Sequence, residues 1–168
     1  MLVRPAVAAD AAQIGALHVR CWQAAYAGLV PRSLLAGVDP AARLTRWKEI
    51  LRETDWPRNG TLVAVDGHRL VGFSRICPAG EVDGERTGQV AAFHVSPERW
   101  REGIGRALMD VALARLAGAR FDNAILWVVR GKPGPFPGAR HFGKSARVSL
   151  KRAGLGARCC GDPPLIGQ

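Results

Sequence analysis

The chain has 168 residues, 48% of them apolar and 23% charged, which fits one globular domain with a real core and excludes a disordered chain. Its net charge of +10 and pI near 10.7 admit an acidic ligand or nucleic acid but say nothing about fold. No apolar run approaches the length needed to cross a bilayer, and the polar-capped helix pattern after Arg4-Pro5 is unlike a signal peptide, so a cytoplasmic protein is expected.

Leu2 to Arg4 reads as a short edge strand, and Asp10 as the N-cap of a helix whose inward positions are Ile14, Leu17, Cys21 and Ala25. Gly28 and Pro31 stop it. A second helix is expected from Pro40 to about Glu53, with Leu44, Trp47 and Leu51 on one face. Thr61 to Val65 and Arg69 to Ile76 form a hairpin around Asp66-Gly67, and Pro78 to Gly88 reads as a polar loop. Gln89 to Val95 is the next strand, followed by Ser96-Pro97-Glu98, Gly103-x-Gly105 and a helix to Gly118 that turns Ile104, Leu108, Val111 and Leu116 inward. Ala124 to Val129 is apolar throughout, as a central strand should be. Gly131 to Gly138 holds three prolines and three glycines and reads as loop, and Lys144 to Ala153 as a helix stopped by Gly154. The order predicts an α/β (α+β) sheet flanked by helices, in one domain without repeats.

The four cysteines, Cys21, Cys77, Cys159 and Cys160, make no Cys-x-x-Cys pair, and His18, His68, His94 and His141 complete no zinc spacing. Free thiols and no metal site are expected. The basic excess gathers late in the chain. From Gly131 to Gly161 there is no Asp or Glu, whereas Lys132, Arg140, Lys144, Arg147, Lys151, Arg152 and Arg158 all fall there. Phe136 and Phe142 are the only rings in the stretch, so a basic nucleic-acid-binding domain is poorly supported.

The chemistry is concentrated between Val90 and Met109. A strand ends, a turn follows, and two glycines spaced by one residue open a helix whose free N–H groups and positive dipole end suit a phosphate or diphosphate. Arg101 and Arg106 flank the turn and could add charge-assisted bonds. No Gly-Lys-Ser/Thr follows, so this is not a Walker loop, and Leu108 stands where a dinucleotide-binding fingerprint needs its third glycine.

Phe93-His-Val-Ser-Pro97 followed by Trp100-Arg-Glu-Gly-Ile-Gly-Arg-Ala-Leu108 is similar to the acetyl-CoA-binding motif of the GNAT superfamily of N-acetyltransferases, and Ala11 to Pro31 resembles a bacterial branch of it. The resemblance covers residues 1 to about 130. It implies a mixed, mostly antiparallel sheet with strands splayed at a slot between 90–95 and 124–129, and acetyl-CoA as co-substrate. By the same resemblance Phe93, His94 and Val95 would line the pantetheine arm. Arg101, Glu102, Gly103, Ile104, Gly105 and Arg106 would hold the diphosphate, and Trp22 and Tyr26 would border the acceptor. Glu102 departs from the family's basic or amide residue and should weaken anion binding unless it faces solvent.

The implied reaction is direct attack of an amine on the thioester in a ternary complex. The acceptor would be a small-molecule amine or a protein N-terminus, with no membrane partner; a homodimer is compatible with the sequence. His94 is the candidate base by its ordinary imidazole range, and packing or solvent contact is the alternative for it, as core packing is for Trp22 and Tyr26. Gln89 stands where relatives often have Glu, and Glu81 and Glu85 are weaker candidates. After the central strand the family's Tyr-bearing helix aligns with Gly143 to Leu155, with Leu150 at the Tyr position, so the usual general acid is missing. The tail from Gly131 is then either a lineage variant in which water protonates the thiolate or out-of-frame translation. A catalytically impaired CoA-binding protein of the same fold is the alternative function.

Overall fold

The computed structural model describes residues 1–27, 39–82, 85–129 and 142–150, with backbone alone at 26, 81–82, 85, 127–129 and 142–148. Its strands are β1 (Leu2–Pro5), β2 (Gly60–Asp66), β3 (Arg69–Val82), β4 (Glu85–Val95), β5 (Asn123–Val129) and β6 (Phe142–Ser149). Its helices are α1 (Ala11–Tyr26), α2 (Pro40–Arg52) and α3 (Ile104–Gly118). The strands lie in one sheet in chain order, every neighbouring pair antiparallel except β4 and β5, which are parallel and joined through α3.

Each helix is amphipathic, and the two faces of the sheet receive them separately. Ile14, Leu17 and Cys21 of α1 and Trp47 of α2 bury with Val63, Leu70, Phe73 and Ala92 on one face. Ile104, Leu108, Ala112, Leu113 and Leu116 of α3 bury with Leu62, Ala64, Ile76, Val90 and Phe93 on the other. Full burial of side chains such as Leu108 and Leu116 is worth roughly 1.5–3 kcal/mol each. Gly72 lets α3 settle on β3, because a Cβ there would lie 2.9 Å from Leu108 Cδ1 and 3.1 Å from the His94 carbonyl oxygen. Asp39 caps α2 by accepting from Ala41 N–H (2.9 Å) and Ala42 N–H (3.2 Å), with Pro40 in the first turn.

Three expectations are corrected. Asp10 stands at the head of α1 but caps no helix N–H; its carboxylate accepts from Val7 N–H (2.8 Å) and grips Arg4 through two bonds of 2.7 and 2.9 Å. The polar stretch 78–88 is no loop for most of its length. β3 and β4 continue pairing to Val82 opposite Glu85, and Pro78 and Gly80 sit at a shift of register. A ladder held by backbone bonds needs no apolar alternation where it leaves the core. Residues 144–149, expected in a helix, belong to β6, which covers the open edge of β5 from Asn123↔Ser149 to Val129↔Phe142. The period-two order Phe142, Lys144, Ala146, Val148, Leu150 accommodates that pairing. The register that put Leu150 at the position of a helical Tyr therefore does not hold. The stops at Gly28 and Pro31, the 131–138 loop and the tail beyond 150 lie outside the described residues.

Candidate functional site

The sheet opens in its middle. β4 pairs with β5 only from Thr87↔Asn123 to Val90↔Leu126, although β4 runs on to Val95 and β5 to Val129. The cause is local: the β3 ladder steps from Arg75↔Ala92 to Ile76↔Val90, leaving Ala91 as an extra residue in β4. Such a bulge bends its strand and increases the twist. Ser96 N–H bonds Val71 O (2.8 Å), so the alternation of an antiparallel ladder turns the amides of Phe93 and Val95 away from β3, toward the opening. The Val95 carbonyl is already engaged by Trp100 Nε1–H (2.9 Å) and the Cys21 thiol (3.3 Å).

The N-terminus of α3 follows β4 by a short turn. Gly103 is its N-cap at φ +80°, a left-handed conformation suited to glycine, and no side chain caps the first turn. A Cβ at Gly103 would meet nothing within 4 Å. At Gly105 a Cβ would come only into ordinary contact with Phe93 (3.6 Å) and Val95 (3.7 Å). Arg101 also takes a left-handed φ of +68° and is exposed; Arg106 is exposed beside Asp110 at 3.9 Å.

Glu102 does not face the turn as an unpaired charge. Its carboxylate accepts from Arg99 Nε at 2.6 Å, and Arg99 Nη1 reaches Asp66 at 3.0 Å, tying the turn to the β2–β3 hairpin. Sequence reading missed Arg99: its i,i+3 spacing from Glu102 was the available signal, whereas the pairing with Asp66 spans the fold and leaves no local spacing.

On the α1–α2 side of the opening, His94 lies 4.7 Å ring to ring from His18 and 5.0 Å from Phe73. His18 Nδ1 accepts from Trp47 Nε1 at 3.1 Å. Burial, with the nearby His18 and Arg43, lowers the His94 pKa to about 3; burial and Arg43 lower His18 to about 4. The ordinary imidazole range on which His94 was chosen as a base therefore does not apply to it. Trp22 is half-buried with the Arg43 guanidinium 5.7 Å over its ring. Tyr26 closes α1, and its side chain, like those of Glu81 and Glu85, lies outside the described part of the structure. Among the described residues no group of His, Cys, Asp or Glu is placed to hold a metal ion, and no helix is long and apolar enough to cross a membrane.

A mixed sheet parted beside an uncapped, glycine-led helix forms a slot that ends on an anion-receptive turn, and the family match places it in an acetyltransferase fold. The chain belongs to the GNAT acetyltransferase family, whose model matches residues 22–133. It is 28% identical over 163 residues to the uncharacterized N-acetyltransferase YuaI of Bacillus subtilis, covering 92% of this chain and 91% of that one. It is 35% identical over 71 residues to the mycothiol acetyltransferase of Geodermatophilus obscurus, covering 41% of this chain and 23% of that one. Its fold is similar to the PaiA N-acetyltransferase of Thermoplasma acidophilum, solved in complex with coenzyme A, with a TM-score of 0.63, 17% identity, and coverage of 79% and 81% of the two chains.

Proposed function

We propose that the protein moves an acetyl group from acetyl-CoA to a primary amine by direct attack in a ternary complex. The observation behind this reading is the β4–β5 opening set against the uncapped first turn of α3. Oriented N–H groups and the positive helix end suit the diphosphate, and the open space at Gly103 lets it approach the backbone. The residues fit coenzyme A: backbone groups of Phe93, His94 and Val95 along the pantetheine arm, and Gly103, Ile104, Gly105 and Arg106 amides on the diphosphate, with Arg101 and Arg106 side chains supplying charge from solvent. Glu102 is neutralised by Arg99 and need not repel the anion. The PaiA neighbour, solved with coenzyme A, supports the same assignment.

In the transfer, the amine nitrogen forms the new bond to the acetyl carbon as the carbon–sulfur bond breaks and its electrons pass to the sulfur. Rate comes from alignment of the two reactants and from backbone donors at the opening. The amine must arrive uncharged. His94, at a pKa of about 3, is too weak an acid–base partner to hold the proton that an alkylammonium gives up. Water takes that proton in this reading, and water returns one to the thiolate. His94 then acts through its neutral ring, forming part of the wall beside the acceptor with Trp22 and Tyr26.

The test is thermal stabilisation by acetyl-CoA, by coenzyme A, and by adenosine nucleotides that lack pantetheine, followed by thiol release across a panel of amines. Stabilisation by the first two alone, with turnover on at least one amine, is expected. Stabilisation without any turnover would leave a CoA-binding protein of the same fold. Salt-sensitive DNA binding in a protein indifferent to acetyl-CoA would overturn the reading.

A further inference from the structure

On the α1–α2 face of the sheet, one cation is buried without the acceptors that burial demands. Arg75 sits in the middle of β3, opposite Thr61 of β2 and Ala92 of β4. Its side chain is 15% exposed, and its nearest carboxylate oxygen, on Glu53, lies 3.9 Å from Nη2, beyond hydrogen-bond reach, on a side chain that is 56% exposed. Nη1 is buried with no hydrogen-bond partner among the described residues. Arg46, the next cation across on α2, has its own carboxylate in Glu49 at 3.1 Å.

The residue directly opposite Arg75 is also without a partner among the described residues. Residues paired directly across a ladder share a face, so Thr61 lies beside Arg75, and its hydroxyl is likewise buried and unpartnered. Two residues past Ala92 on the same face stands His94, with His18 against it, and Nε2 of each ring is buried and unpartnered. Because His18 Nδ1 accepts from Trp47, its neutral ring carries the proton on Nε2 and is a third donor. A guanidinium and a hydroxyl side by side, with no carboxylate in hydrogen-bond reach of the cation, suit an anionic acceptor, and the imidazole N–H of His18 stands further along the same face.

We propose that Arg75, with Thr61 beside it, receives a carboxylate or phosphate on the acceptor, so that the acceptor class is an amine that also carries an anion. The inference rests on the acetyltransferase reading. Ala92, level with Arg75, adjoins the bulged Ala91 where the sheet opens. An anion held at Arg75 therefore leaves the amine one to two strand spacings away, roughly 5–10 Å, at the opening itself. That span fits an ω-amino acid or an aminoalkyl phosphate.

Thiol release is to be compared for matched pairs: an ω-amino carboxylate with its amide, and an aminoalkyl phosphate with the parent amino alcohol. The wild-type chain should favour the anionic member by about ten-fold or more in kcat/KM, and Arg75→Gln should bring the ratio to near one. Whichever anionic arm shows the larger ratio names the group. Equal use of charged and neutral members by the wild type would overturn the proposal, as would an Arg75→Gln loss that strikes both alike. If acetyl-CoA neither stabilises the chain nor turns over, the acetyltransferase reading fails first. Thermal shift with the anionic amine alone then decides: stabilisation absent for the neutral partner and lost in Arg75→Gln sustains the anion site, and no stabilisation removes it.

Discussion

At the scale of single residues, the turn before α3 shows how a sequence that departs from its family's pattern still keeps an anion-receptive site. A carboxylate at 102 would repel a diphosphate, yet Arg99 binds it at 2.6 Å and is itself anchored on Asp66. Replacing Arg99 by Gln should free that charge and weaken coenzyme A binding by about three- to ten-fold, with a steeper loss at low salt. Adding Glu102→Gln should restore the affinity. Isothermal titration of the two single variants and the double variant measures the coupling, and additive effects would show that Arg99 does not act through Glu102. Gly103 invites a second experiment. Its φ of +80° is strained for any residue with a Cβ, so Gly103→Ala should cost about 1–2 kcal/mol in urea denaturation although no atom stands in the way. Gly105→Ala, whose Cβ meets only ordinary contacts, should be neutral or slightly stabilising in the same assay.

At the scale of elements, the site depends on where α3 rests, and that is set by a glycine on a neighbouring strand. In Gly72→Ala the new methyl would press on Leu108 Cδ1 at 2.9 Å, with the His94 carbonyl 3.1 Å away. The expected cost is about 1–3 kcal/mol, read from the shift of the urea midpoint. Displacing α3 also moves its N-terminus against β4, so coenzyme A stabilisation should fall with it. Elements with strong local patterns were legible in the sequence: the inward face of α1, the Pro40 start of α2, the Asp66-Gly67 hairpin, and the glycine-led start of α3. The misreadings fall where local pattern is weak. The β3–β4 tip is polar because its ladder outruns the core, and residues 144–149 pass for a helix until the open edge of β5 supplies their partner. Nor could spacing reveal Arg75 and Thr61 as neighbours, since they come from two strands paired across the sheet.

At the scale of the whole molecule, the two buried histidines make stability depend on pH. His18 and His94 are held neutral between α1, α2 and the sheet, with pKa values of about 4 and about 3, against 6.5 for a free imidazole. Below pH 6.5 the unfolded chain therefore binds protons that the folded chain refuses, and stability falls with pH until the folded values are reached. At pH 5 each imidazole withholds roughly 2 kcal/mol relative to neutral pH, at about 1.4 kcal/mol per pH unit, and above about pH 7.5 neither contributes an appreciable slope. A combined loss of roughly 4 kcal/mol is a large part of the 5–15 kcal/mol typical of a domain, so the chain should be markedly less stable at pH 5 than at neutral pH. Urea midpoints at pH 7.5, 6 and 5 measure the slope. His94→Phe, which keeps the stacked ring beside Phe73 and removes an unpartnered nitrogen, should flatten it by about one proton. An unchanged slope in that variant would mean that His94 already charges in the fold. The neutral wall assigned to it beside the acceptor would then fail together with the acid sensitivity, since both follow from the same burial.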